Sequence, residues 1–327
     1  MIRWGIIGLG NMANKFATSI QEVDNAKLIS ISSQSKEKLD IFKKKFNIEQ
    51  KYSFNTYEDL IRCDEVDAVY ISTLNNTHLN LIKKCAENNK NILCEKPIGL
   101  NYNEAKIAKE YILQNKILFF EAIAYRTHPQ IEILKNLIEQ DEIGEIISIN
   151  SSFGFKVKKI KPESRLFNKK LGGGAILDIG CYPVSVLTLF SKLKIFDLKN
   201  SIGSFTDKGV EDFADGNILV DNLIKSKITV SLKDNLNNQL EFKGKKGSII
   251  VNNPWLPDVK NYIDITNGSK FYKKFINCEK TLYANQIYKI SNNFKNSIDD
   301  DNYSVNIDES NIIMKILTNW SESIVLQ

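Results

Sequence analysis

Two short blocks carry side chains that packing alone does not explain: Cys94-Glu95-Lys96-Pro97, and the stretch GGGAILDIGCYPV at 172–184. In the second, Asp178 and Tyr182 stand four residues apart, so a helix would present a carboxylate and a phenol one turn apart on one face. A phenol titrates near pH 10 and takes a proton from an alcohol only when a neighbour favours the phenolate. A lysine ammonium does that, and it also stabilises an alkoxide as it develops. Lys96, Tyr182 and Asp178 are therefore the candidate catalytic residues, with Asp178 orienting the lysine or accepting a substrate hydroxyl. The three glycines ahead of Asp178 are expected to admit substrate to the backbone. The plain alternative is a glycine-rich helix entry around a buried tyrosine.

Deprotonating an alcohol is half of an oxidation; the other half needs a hydride acceptor, and the N-terminus carries a place for one. The β-branched run Ile2 to Ile7 leads into Gly8-Leu9-Gly10-Asn11-Met12-Ala13, with Phe16, Ala17 and Ile20 following at helical spacing. Glycine permits the tight turn and close approach to a pyrophosphate, the small third position packs helix on strand, and the helix start supplies amide donors. Gly8, Gly10, Asn11, Met12 and Ala13 are thus expected to cradle a dinucleotide. Enzymes that use NAD commonly place a carboxylate about 20 residues further on, against the ribose hydroxyls. Here the stretch is SISSQSKEK, and Ser32, Ser33, Gln34, Ser35 and Lys36 stand in its place. Hydroxyls and a lysine suit a 2′-phosphate, so NADP is favoured, with NAD left open.

Glu95, Lys96 and Arg126 are expected to contact the cofactor, and the family resemblance described below implies the same of Thr73, Leu74, Asn75 and His78, which follow the run Val66 to Ser72. At His78 the alternative is a bystander beside a helix cap at Thr77. Arg126 has two readings, cofactor contact or substrate orientation. His128, next to Pro129, reads as structural at least as readily as catalytic.

These residues need a frame to hold them. Short β-branched runs at Ile2 to Ile7, Leu28 to Ser32, Val66 to Ser72, Ile92 to Cys94 and Ile117 to Phe120 alternate with helical spacing such as Leu39, Phe42 and Phe46. That alternation predicts a parallel, doubly wound sheet, whose ligands sit at the carboxyl ends of the strands. Lys96 falls at such an end, and Pro97 stops the strand there. After about residue 123 the pattern becomes a helix near Pro129 to Glu139, a strand-like EIISINSSFGF, a basic loop from Lys156 to Arg165, the glycine-opened helix, and short strands separated by turns. The loop reads as solvated, with a lid over the site as the alternative. The stretch Asn306 to Gln327 is helical again. The fold class expected is α/β: a dinucleotide-binding domain over 1–123 and a substrate and oligomerisation domain over 124–327, built on an open, mainly antiparallel sheet, with the C-terminal helix packing back on the first domain.

Composition narrows the classes. With 327 residues the chain exceeds what one hydrophobic core usually serves. The net charge of +5 is spread along the chain without a basic stripe, which argues against nucleic acid. Five cysteines without a C-x-x-C pair and two histidines suit reduced thiols in a cytoplasmic protein, with no disulfide framework and no metal site. No run of about 18 apolar residues is apparent, so no membrane span is expected.

Taken together, the G-x-G-x-x-A start, VDAVYISTLNNTH, LCEKPIGLN, EAIAYRTHPQ and GGGAILDIGCYPV resemble the glucose-fructose oxidoreductase, inositol dehydrogenase and MocA (Gfo/Idh/MocA) family. The branch most similar holds dimeric dihydrodiol dehydrogenase and D-xylose dehydrogenase. The resemblance implies a Rossmann domain followed by an α/β domain whose open sheet makes a homodimer or a dimer of dimers. It also implies that Lys96 and Tyr182 are the catalytic pair and that the substrate is a small sugar, polyol or trans-dihydrodiol. Many other members carry histidine at the tyrosine position, so Tyr182 argues against an inositol dehydrogenase; Leu74 departs from the usual proline. Two other readings stay open, a nucleotide-sugar ketoreductase and a sensing protein that binds dinucleotide or sugar without turnover.

Overall fold

The computed structural model describes residues 1–159, 161 and 163–326. Ile160 and Pro162, which belong to the basic loop, lie outside the described residues.

From the N-terminus the chain alternates β1 (Ile2–Ile7), α1 (Asn11–Ser19), β2 (Ala26–Ser32), α2 (Lys36–Phe46), β3 (Ser53–Phe54), α3 (Tyr57–Ile61), β4 (Ala68–Ile71), α4 (His78–Glu87), β5 (Asn91–Cys94), α5 (Tyr102–Asn115) and β6 (Phe119–Glu121). There follow α6 (Pro129–Glu139), β7 (Ile146–Gly154), a π-helical stretch Ile176–Gly180 and α7 (Cys181–Phe190). A run of strands comes next: β8 (Phe196–Phe205), β9 (Glu211–Val220), β10 (Ile224–Ser231), β11 (Gln239–Gly244), β12 (Gly247–Asn252), β13 (Lys260–Asn267) and β14 (Lys270–Asn277). The chain closes with α8 (Leu282–Asn296), β15 (Val305–Asn306), α9 (Ile307–Glu322) and β16 (Val325–Leu326).

Two compact units result. The first comprises Met1–Thr127 with Lys280–Asn311, the second His128–Glu279 with Ile312–Gln327, so the division falls inside α9. The first unit is a Rossmann domain whose sheet runs β15-β6-β5-β4-β1-β2-β3, parallel except for β15. Its central strands are buried, and Trp4, Ile6, Phe16, Tyr70 and Phe294 share one core. The spacing of Leu39 and Phe42 buries that face of α2. The two-residue β3 left no alternation in the sequence to read. Nor was α8 foreseen. It packs on α1, and Trp4 donates from Nε1 to Ser291 Oγ at 3.0 Å.

In the second unit a nine-stranded sheet runs β14-β13-β12-β11-β7-β10-β9-β8-β16. Most pairings are antiparallel, while β7 with β10 and β8 with β16 are parallel. Lys169–Phe190 forms a helical stretch long and apolar enough to cross a membrane, which the residue count had not suggested. Of its apolar window 78% is buried inside the protein, as for the core helix of a folded domain.

Candidate active site

In the first unit the cofactor motif lies where β1 gives way to α1. Gly8 has φ +85°, and a Cβ there would meet Thr73 Cγ2 at 2.7 Å and Ser72 O at 2.9 Å, so only glycine lets this turn lie against the end of β4. Ser72 Oγ donates to Gly8 O at 2.7 Å and locks the two together. Gly10 N-caps α1 and has open space where a Cβ would stand; no side chain caps that helix, and its first turn holds no acid. Ala13 is fully buried and lets α1 approach the sheet, whereas Asn11 is exposed and Met12 half-buried. An uncapped helix start with free space above a glycine suits a pyrophosphate. By this test the residues fit a dinucleotide.

At the carboxyl end of β2, Gln34 and Lys36 are exposed. Ser33 is buried and its Oγ accepts from Ser35 N at 3.1 Å, while Ser35 caps α2 through Lys38 N. These two hydroxyls shape the turn, and Gln34 and Lys36 are its outward groups. The first carboxylate beyond them, Glu37, lies within α2.

Lys96 follows β5 at the same edge of the parallel sheet and is half-buried, with a cis peptide between Lys96 and Pro97. Glu95 beside it is buried and accepts from Tyr70 OH at 2.5 Å; Tyr70 in turn stacks on Phe16 of α1, ring centroids 4.3 Å apart. His78, expected at the cofactor, lies enclosed within the first unit. The ring is 0% exposed, its Nδ1 donates to Pro97 O at 2.9 Å, and Nε2 lies 3.4 Å from Thr73 O. Burial lowers its pKa to about 4, so a neutral imidazole ties the Lys96 turn to the end of β4. Around it Asn75 is buried, Leu74 exposed and Thr73 half-buried, with Thr73 and Thr77 hydroxyls 2.7 Å apart.

Arg126 was read as a cofactor contact or as a group orienting substrate. It is 1% exposed, and its guanidinium grips Glu309 through two bonds of 2.7 and 3.2 Å. That carboxylate enters from α9, 183 residues along the chain, which is why no local pattern announced it.

In the second unit, Tyr182 opens α7 half-buried among rings: edge-on to Phe153 at 5.1 Å and to Trp255 at 6.3 Å between centroids. Trp255 is fixed by donating from Nε1 to Ser152 O at 2.8 Å. Phe153 and Trp255, which pack beside the candidate phenol, were not singled out by the sequence reading, because they come from β7 and from the loop after β12. Asp178 is 4% exposed and lies in the π-helical stretch, a widened turn often found at functional sites. Its Oδ1 accepts from Arg165 Nη1 at 2.6 Å, so a residue of the basic loop closes onto it.

The glycines ahead of Asp178 serve a different purpose from the one expected. Gly172 and Gly174 have φ +75° and +126°, and a Cβ at Gly173 would meet Asn168 N at 2.7 Å. At Gly174 the space of a Cβ is taken by the Glu211 carboxyl. The glycines admit protein, in a turn packed against its own neighbours. Glu211 itself was not foreseen. It is 7% exposed, burial pushes its pKa up to about 7, and the backbone at Ile176 and Lys169 act against that.

A folded-state pKa raised from 4.5 means that the unfolded chain gives up this proton first as pH rises. Glu211 therefore costs nothing below pH 4.5 and destabilises increasingly up to about pH 7. Glu211→Gln should raise the free energy of urea unfolding at pH 8 by up to about 3 kcal/mol and leave it unchanged at pH 4, since each pKa unit is worth about 1.4 kcal/mol. Equal gains at both pH values would show that folding leaves the Glu211 pKa unshifted.

Residues 2–122 match the family model described as "Oxidoreductase family, NAD-binding Rossmann fold", and residues 131–250 match that of the GFO/IDH/MocA C-terminal domain. Among curated relatives, trans-1,2-dihydrobenzene-1,2-diol dehydrogenase of Xenopus tropicalis is 28% identical over 258 residues, 78% of this chain and 77% of that protein. An uncharacterized oxidoreductase of Rhizobium meliloti is 26% identical over 83% of this chain and 80% of its own. Among solved structures, a 3-ketoreductase from Actinomadura kijaniata in complex with NADP and TDP-benzene superposes with TM-score 0.88 at 20% identity, covering 99% and 98% of the two chains. The aldose-aldose oxidoreductase from Caulobacter crescentus does so with TM-score 0.88 at 18% identity, covering 98% and 97%. With both of its domains matched by family models, the chain belongs to the Gfo/Idh/MocA family of NAD(P)-dependent oxidoreductases.

Proposed function

We propose that this enzyme interconverts an alcohol and a carbonyl on a sugar, cyclic polyol or trans-dihydrodiol, with Lys96 and Tyr182 as its acid–base groups and NADP as its favoured cofactor. The observation that carries the reading is the common edge of the first sheet. Gly8 to Ala13 follow β1 and Lys96 follows β5 at the carboxyl ends of parallel strands, where ligands of such sheets bind. The bound nicotinamide supplies the hydride chemistry. Tyr182 exchanges the hydroxyl proton, Lys96 as an ammonium favours the phenolate and the developing alkoxide, and Asp178 with Arg165 holds the turn from which Tyr182 projects. Phe153 and Trp255 offer flat apolar faces beside the phenol, which suit the carbon face of a sugar ring or a dihydrodiol.

Gln34 and Lys36, exposed beyond the end of β2 where NAD enzymes commonly place a carboxylate, support the preference for a 2′-phosphate. Titration of intrinsic fluorescence with NADPH and NADH should give tighter binding of NADPH, by about tenfold for one charge-assisted contact. Lys36→Ala should narrow that gap. The folded protein would then be offered trans-1,2-dihydrobenzene-1,2-diol, D-xylose, an inositol and a nucleotide-linked sugar, following absorbance at the reduced nicotinamide. Binding of neither nucleotide would end the hydride-transfer reading in favour of a sensing protein.

A further inference from the structure

The turn that carries Lys96 is held from two sides, and one of the two anchors is a buried charge. His78 takes Pro97 O, as described above, and Glu121 takes the next residue: Ile98 N–H donates to Glu121 Oε1 at 3.0 Å. Glu121 ends β6, in parallel register with Cys94 of β5, and is only 2% exposed. Its second oxygen, Oε2, meets no donor at full hydrogen-bonding geometry among the described residues, and the Ser310 hydroxyl beside the carboxyl bears on it without closing one. A carboxyl so enclosed needs a reason to be there, since an apolar residue of its size would cost less.

The charges around it identify one. Burial raises the proton affinity of Glu121 and the Glu309 carboxylate adds to that, whereas Ser310, Ile98 N–H and the Lys96 ammonium oppose it, leaving a pKa of about 7. Glu309 is engaged by Arg126, and Cys94 opposite Glu121 is a neutral thiol whose own pKa is pushed well up by burial and, to a lesser degree, by Glu121. The strand on the other side, β15, places the uncharged Val305 against it. Among the charges that bear on Glu121, Lys96 is the cation.

We infer that Glu121 is a positioning residue for Lys96: its carboxylate fixes the turn through Ile98 N–H and supplies the negative charge that keeps Lys96 an ammonium. The inference rests on the reading of Lys96 as the catalytic cation, but its test does not. The protein without nucleotide is labelled with trace acetic anhydride across pH 6 to 11, and the Lys96 peptide is quantified by mass spectrometry against that of the exposed Lys36. In Glu121→Gln the amide oxygen still accepts from Ile98 but the charge is gone, so the Lys96 titration should move down by about one pH unit while Lys36 stays. Glu121→Asp keeps the charge and should restore most of the shift. Wild type by itself gives a second reading: its Lys96 curve should carry an inflection near pH 7, where Glu121 changes charge. Superimposable curves for wild type and Glu121→Gln, or, should that variant not fold, a wild-type curve with one inflection only, would overturn the inference. Turnover by Lys96→Ala decides the catalytic reading separately, so the failure of either is distinguishable from that of the other.

Discussion

Tyr182→Phe should lose about 10²- to 10⁴-fold in turnover on whichever substrate the wild type accepts, with NADPH affinity unchanged, because the substitution removes one proton-transferring group and keeps the ring. The ring matters: Phe153 and Trp255 pack edge-on against it, so phenylalanine preserves the local packing and a change in rate reports on the hydroxyl. Lys96→Ala should fall as far. Its effect should extend to the turn, since Lys96 bears electrostatically on both His78 and Glu121. If phenol and ammonium act as a unit, the double variant will be little worse than either single one. Steady-state rates with nucleotide in excess provide the check, together with a fluorescence titration on each variant. Retention of more than about a tenth of the wild-type rate by Tyr182→Phe would remove the tyrosine from the mechanism, as a general acid or base contributes at least about 100-fold.

Arg126→Ala should cost about 3–5 kcal/mol of stability, the penalty for breaking a buried pair and leaving one charge enclosed. The side chain is 1% exposed against 16% for Glu309, and two hydrogen bonds bind them. The Glu309 carboxylate has little water to turn to, and it also bears on Glu121, so the damage should reach the Lys96 turn. Glu309→Gln, which keeps one acceptor but leaves the enclosed guanidinium without its counter-charge, should cost about as much. Urea unfolding at pH 7 measures both, and NADPH titration of the folded fraction separates structure from ligand contact. A fully stable Arg126→Ala with weakened nucleotide binding would restore the role that its place in EAIAYRTHPQ first suggested.

The contrast between Arg126 and Gly8 shows what kind of statement a sequence supports. Gly8 to Ala13 work through backbone, small side chains and a helix start within a few residues of one another, so their spacing alone conveys the geometry. Arg126, His78 and Asp178 were noticed as chemical groups, but the groups they meet, Glu309, Pro97 and Arg165, are chosen by the path of the chain. His128 shows the same: its Nδ1 caps α6 at Gln130 N, and its Nε2 lies 3.1 Å from Cys278 Sγ, from beyond β14. The glycines at 172–174 misled for a related reason. A sequence reveals that a Cβ is missing but not what fills the space, and here that is Glu211 and the backbone near Asn168.

By itself the sequence determined the alternating first domain, the mainly antiparallel second sheet, the family, and the places of Lys96 and Tyr182 in their motifs, since periodicity, glycine spacing and short motifs are local properties of the chain. Only the tertiary structure decided that His78 and Arg126 are buried ties, that Lys280–Asn311 joins the first unit, and that Glu121 and Glu211 lie enclosed beneath the two site-bearing turns. The physical reason is that burial and electrostatic partnership depend on distance through space, which residues far apart in the chain acquire only when the sheets assemble.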